Sequence, residues 1–342
     1  MARIDINSMT LWITAAAVQH PNTLVQEIMS RTGVGRQTAH KLIKKLMAVN
    51  WLLNEGTPRR PHFKPGLLRQ VVRRYELAGL TEDRPWSQDF APFFTLPAQI
   101  QRMTQHAFCE LVNNAIDHSE GSCVTVSLRQ TPNQVQLLVS DDGRGLFDKI
   151  SQVFSIGDPH AAMLELSKGK LTGQPQRHTG RGLFFTSKLA DVFDLHANDV
   201  AFQHREWNRA GWLPGRPLKH HGTSVYFSIG LDTSRTLDSV LQSFSLNGSG
   251  YGFERTVVPL QLVTNGQNGL ESRAQARRVA DRLSQFQRAE VDFEGIPYVG
   301  HSFVDELFRV LKPQHAHTEI IPINMCPAVA AMVNSVRELQ PA

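Results

Sequence analysis

The chain has 342 residues, enough for two or three domains that each bury a core. Its three cysteines, Cys109, Cys123 and Cys326, are too few and too scattered for a disulfide framework or a thiolate metal site, and a reducing compartment suits them. No apolar run approaches the ~18 residues of a membrane span, and Met1-Ala-Arg-Ile-Asp5 is not a signal peptide, so a soluble cytoplasmic protein without membrane attachment is expected.

The basic charge lies at one end. Residues 1–75 hold 12 lysines and arginines against 3 acids, a local charge of +9, while the other 267 residues hold 24 against 28. Helices are expected over Thr10–Gln19, Leu24–Arg31 and, after the turn Gly33-Val-Gly35, from Arg36 to Val49. In the third, Ala39, Leu42, Ile43, Leu46 and Val49 form the buried stripe, and Arg36, His40, Lys41, Lys44 and Lys45 lie away from it. The stretch Gly56–Pro65 then carries Arg59 and Arg60, as a basic wing would. This order reads as a winged helix-turn-helix over residues 1–75, with DNA as its partner. A solvated basic helix is the plainer alternative.

Residues 76–96, with the polar, proline-broken Thr81–Gln88, read as a linker. A domain over 97–232 opens with a long helix running into Glu110-Leu-Val-Asn-Asn114-Ala-Ile-Asp117-His118. Positions 110, 114 and 117 or 118 share one helical face. A carboxylate there can take a proton from water, and a neutral amide beside it can complete the octahedron of a Mg²⁺ ion that already holds phosphate oxygens. Val135, Leu137 and Val139 alternate as a strand that ends at Asp141-Asp-Gly143-Arg-Gly145, where a carboxylate can accept the hydrogens of an adenine amino group and glycines let the backbone pass close to the base. Gly180-Arg181-Gly182-Leu183 opens a helix to Leu189, whose first N–H groups and dipole favour phosphate. Gly222-Thr223 precedes a further strand, Ser224–Ile229; others are expected at Cys123–Arg129, Gln134–Ser140, Val192–His196 and Val200–Glu206.

Taken singly these motifs are ordinary turns and solvated faces; in this order they resemble the N, G1, G2 and G3 boxes of the GHKL ATPases. The resemblance implies an α/β sandwich, the Bergerat fold, with ATP and Mg²⁺ as cofactors. It makes Glu110 the general base, Asn114 the metal ligand, Asp117, Gly143, Gly145, Gly180, Arg181, Gly182 and Leu183 part of the nucleotide site, Asp141 the adenine acceptor, and Thr223 a hydroxyl on the adenine floor. The segment Leu146–Thr179 becomes the ATP lid, whose Lys168, Lys170, His178 and Thr179 would approach the γ-phosphate when it closes.

A linker is expected over 233–255, then a domain over 256–342. Alternating strands (Thr256–Val263, Glu290–Phe293, Glu319–Ile323) and helices (Glu271–Phe286, His301–Leu311, Pro327–Leu339) predict an α/β layer with some parallel pairing. The stretch Val291–Phe308 resembles the strand-to-helix turn of STAS-like domains. There His301, with Ser302 beside it, stands near the position of a phosphorylated serine, and a helix N-cap is the plain role for Ser302. The whole resembles a narrow bacterial subgroup in which a helix-turn-helix, a GHKL ATPase and a STAS-like domain of unknown function follow one another. Two functions are expected in competition: an ATP-hydrolysing regulator whose nucleotide state is coupled to DNA binding, and a protein kinase acting on its own or a partner's STAS-like domain. A protein partner is expected without a name for it, and the oligomeric state, a homodimer included, stays open.

Overall fold

The computed structural model describes residues 5–173, 176, 179–208, 211–264 and 269–337. The chain divides into two units: the first holds residues 1–143 and 224–234, the second 144–223 and 235–342. The chain passes between them inside the first glycine box and again at Thr223, before Ser224.

In the first unit, α1 (Ile6–Thr10), α2 (Ile13–Gln19), α3 (Leu24–Thr32) and α4 (Arg36–Ala48) enclose a small core of Met9, Ile13, Leu24, Ile28, Leu42 and Leu46. Gly33, at φ +70°, ends α3 in the left-handed conformation that a glycine adopts freely. A hairpin follows, β1 (Leu52–Asn54) antiparallel to β2 (Phe63–Pro65), and Trp51 and Phe63 close the core from that side. Val49, expected in the stripe of the third helix, lies beyond its end and is 49% exposed.

The second half of this unit is a sheet of four antiparallel strands, β3 (Arg69–Glu76), β4 (Cys123–Gln130), β5 (Gln134–Asp141) and β9 (Thr223–Gly230), β9 belonging to it from Ser224. β3 differs from the expectation that residues up to 75 form the N-terminal domain: all eight of its residues pair with β4. The long helix α5 (Ala98–His118) packs on β5, and Met103, Ala107, Phe108, Leu111 and Ala115 are buried along it at helical spacing. Nor is the expected linker free chain, because Trp86 and Phe90 in a helical turn at Pro85–Phe90 meet Phe108 at ring-centroid distances of 5.3 and 5.1 Å.

The second unit begins with α6 (Leu146–Phe154), α7 (Pro159–Lys168) and α8 (Gly182–Leu189). The strands β6 (Val192–Ala197), β7 (Val200–Arg205) and β8 (Trp212–Pro214) follow as an antiparallel meander. After α9 (Leu237–Gln242) come β10 (Arg255–Pro259), α10 (Gln261–Thr264), β11 (Gly269–Leu270) and α11 (Arg273–Ala280). The rest is β12 (Arg288–Asp292), β13 (Tyr298–Val299), α12 (His301–Asp305), β14 (Glu319–Ile323) and α13 (Pro327–Arg337). The strands β10, β12 and β14 lie side by side and all parallel, as helical crossovers between successive strands require. Gly300, not Ser302, occupies the N-cap of α12, and His301 and Ser302 are both exposed in its first turn. Among the described residues no helix is long and apolar enough to cross a membrane.

Candidate functional site

The first half of the candidate site is set by two periodicities. On α5, Glu110, Asn114 and Asp117 follow one another at i, i+4 and i+7, all half-buried, beside the apolar stripe that packs on the sheet. On β5, Val135, Leu137, Val139 and Asp141 alternate onto the buried side, so the strand's own pleat carries Asp141 inward, where it is 7% exposed. Burial pushes the Glu110 carboxyl above its ordinary range, and Glu82 adds to the shift. A carboxylate raised in this way holds a proton more readily than one in water, as a general base must.

The turn after β5 is fixed by contacts that only glycine permits. A Cβ on Gly143 would stand 2.1 Å from the Ser119 carbonyl oxygen at the end of α5. The Gly143 N–H donates to Asp141 Oδ1 at 2.9 Å, tying the turn to the strand end. Asp142, which was not singled out from the sequence, accepts the N–H groups of Ser122 and Cys123, both at 2.8 Å, and the Ser122 hydroxyl at 2.7 Å. Those donors pull its pKa down to about 2. Its signal in the sequence is an acid following a strand beside a candidate site, which is too common to pick out.

The remaining motif residues belong to the second unit. Gly145 takes φ +94°, and a Cβ there would lie 2.4 Å from Asn198 Nδ2. Asn198 bridges the loops: it donates to the Arg144 carbonyl at 2.8 Å and to Asp148 Oδ2 at 2.6 Å, and it accepts the Gly222 N–H at 2.9 Å. The pair Asn198-Asp199 is a two-residue hairpin turn between β6 and β7, a signal readable in the sequence. Thr223 Oγ1 accepts the Leu146 N–H at 3.0 Å, so the hydroxyl expected on an adenine floor also holds the start of α6. Gly180, at φ +66°, accepts the Lys170 N–H at 2.9 Å and closes the neck of the lid segment. At the start of α8 no side chain caps the first turn, with Gly182 and Leu183 half-buried there. Thr179 is exposed, and His178 lies outside the described residues.

The two lid lysines are engaged by other parts of the second unit. Lys168 is fully buried, and its ammonium donates to Glu165 Oε1 at 2.5 Å and to the carbonyls of Arg278 and Asp281 at 3.0 and 2.8 Å. An ammonium has three hydrogens, and three acceptors are in place. Burial lowers its pKa against the opposing pull of Glu165. Lys170 donates to the Gln285 carbonyl at 2.6 Å and stands 4.3 Å above the Phe286 ring and 5.3 Å above that of Phe253. Arg181 stacks over Phe253 at 5.7 Å. The two lysines donate to carbonyls 110 to 115 positions further along the chain, which no local reading of the lid could supply.

The basic residues of the N-terminal helices are displayed as expected. Arg36, His40, Lys41, Lys44 and Lys45 are all exposed on α4, while Ala39, Leu42, Ile43 and Leu46 are buried on its other side. Arg59 and Arg60 are exposed in the loop between β1 and β2.

Residues 99–233 match the family model of the histidine kinase-, DNA gyrase B- and HSP90-like ATPases, and residues 275–330 match that of a STAS-like domain of unknown function (DUF4325). No curated protein matches the chain. The chain therefore carries a GHKL-type ATPase domain, which binds ATP, and a C-terminal STAS-like domain.

Proposed function

We propose that the protein is a regulator that binds and hydrolyses Mg-ATP and couples its nucleotide state to DNA binding by residues 1–75. The observation that carries the catalytic part is Glu110, half-buried with a raised pKa, one helical turn before Asn114 on a helix packed against the strand that ends in Asp141. In this reading Glu110 takes the proton of a water that attacks the γ-phosphorus, and the bond to the ADP oxygen breaks as the new P–O bond forms. Asp141 accepts from the adenine amino group, and the open first turn of α8 receives phosphate oxygens.

Among the described residues no cluster of three or more His, Cys, Asp or Glu side chains could hold a metal ion. A single amide oxygen, Asn114, together with phosphate oxygens and waters, is a donor set that suits Mg²⁺. The bound ion would supply charge neutralisation at the phosphates.

The DNA-binding part rests on four helices followed by a two-stranded hairpin, with five exposed cationic or imidazole side chains along α4. That order and charge fit a winged helix-turn-helix whose α4 enters the major groove. The kinase reading has one observation in its favour, the exposure of His301 and Ser302 in the first turn of α12. Incubation of the full chain with ATP labelled on the γ-phosphate separates the two. Release of free phosphate without stable protein-bound label is the outcome expected of the regulator; label retained on the protein in proportion to turnover overturns it in favour of the kinase.

A further inference from the structure

The segment between the first and second glycine boxes is held by the STAS-like domain through contacts that are more than packing. Lys168 reaches the end of α11 and places its ammonium against two carbonyls there, where a helix terminus exposes unpaired acceptors and negative dipole. Glu165, one turn earlier on α7, receives Lys168 on one oxygen and Arg282 on the other, at 3.1 Å. Arg282 also donates to the Lys170 carbonyl at 2.6 Å, and the buried Thr256 hydroxyl donates to the Lys168 carbonyl at 2.7 Å.

The backbone is strained where these side chains leave it. Lys170 and Arg282 both hold positive φ, +58° and +60°, a conformation that long side chains seldom adopt. Glycine would be the ordinary residue at such a position after a helix. Here the cost is accepted at two facing positions that carry long cations, each of which bonds across the contact.

We infer that the STAS-like domain is an intramolecular clamp on the ATP lid: the surface formed by the end of α11, Arg282 and Phe286, with Phe253 of the preceding segment, occupies the ammonium groups of the lid lysines, and release of that surface raises ATP turnover. The inference rests on the nucleotide-site reading above. It gives the STAS-like domain a role as the regulator of this site, and by reciprocity nucleotide that draws the lid away must loosen the end of α11.

The test uses the full chain and two variants, Arg282→Ala, which removes the Glu165 and Lys170 contacts, and Thr256→Val, which removes one hydroxyl at nearly constant shape. Amide exchange over residues 159–171 without nucleotide is expected to speed up at least ~10-fold in Arg282→Ala and less in Thr256→Val. In both variants kcat/KM for ATP is expected to rise several-fold, and a non-hydrolysable ATP analogue is expected to speed exchange at 278–282 in the wild type. Faster lid exchange with unchanged kcat/KM overturns the clamp and leaves a structural contact, as does unchanged exchange in both variants. A wild-type chain that binds no ATP refutes the nucleotide reading instead, while the exchange measured without nucleotide still judges the contact. Loss of folding in Arg282→Ala leaves Thr256→Val to decide the outcome by the same two readouts.

Discussion

Replacing Lys168 by methionine separates a structural lysine from a phosphate ligand. Methionine retains most of the stem volume, so the loss is the ammonium and its three bonds. Removing one partner of a buried ion pair ordinarily costs about 3–5 kcal/mol, and two carbonyls left without a donor add about 1 kcal/mol each. Two effects oppose this: Glu165 keeps Arg282 at 3.1 Å, and the chain no longer buries a charge. The expected net is about 3 kcal/mol, or on the order of a hundredfold in the local opening equilibrium. It is read by amide exchange over α7 and α11 at several urea concentrations. Because the ammonium already has three acceptors, ATP affinity should not fall. A variant whose α7 and α11 amides exchange at the wild-type rate, and which has lost ATP affinity, would refute the argument and return Lys168 to the phosphates.

Glu110→Gln is expected to keep ATP binding and to slow hydrolysis by roughly 10²-fold or more, as measured by phosphate release. The same variant tests the raised pKa. A carboxyl whose folded pKa lies above its unfolded value contributes stability that is present below the ordinary value of 4.5 and lost as pH rises through the folded pKa, so at pH 8 the variant should melt higher than wild type, with the gap closing below pH 4.5. Gly143→Ala should abolish nucleotide binding and cost roughly 2 kcal/mol or more in urea unfolding, since the new Cβ would lie 2.1 Å from a backbone oxygen; normal binding contradicts the turn geometry. Lys44→Ala should reduce the slope of log DNA affinity against log salt by about 0.9 if the ammonium meets a phosphate, and an unchanged slope removes it from the interface.

The parts of the fold legible in the sequence were those with short-range causes. Alternation fixed β4 and β5 to within a residue and put Asp141 in phase with Val135, Leu137 and Val139, and the parallel α/β order of the C-terminal part followed from its alternating elements. β3 was hidden by its arginines, Arg69, Arg73 and Arg74: charge is what an edge strand carries to resist pairing with other chains, and Val71 alone is fully buried. Pro85 suggested a break, but proline is well suited to open a helical turn, and Trp86 behind it found Phe108 twenty-two positions away. The acceptors that hold Lys168 and Lys170 were hidden for the most general reason. A lysine's sequence neighbours say nothing about carbonyls at the end of a distant helix, and only the folded chain brings those acceptors to it.

The central claim, that nucleotide state and DNA binding are coupled, is tested by the DNA affinity of the full chain at fixed salt, with and without a non-hydrolysable ATP analogue and Mg²⁺, in wild type and in Asp141→Asn. Salt-sensitive DNA binding is predicted, with an affinity that shifts with the analogue in wild type and does not shift in Asp141→Asn, where an amide donor replaces one carboxylate oxygen and the charge that receives the adenine amino group is gone. Equal affinities with and without nucleotide in a wild-type chain that demonstrably binds the analogue, or no salt-sensitive DNA binding at all, would contradict it.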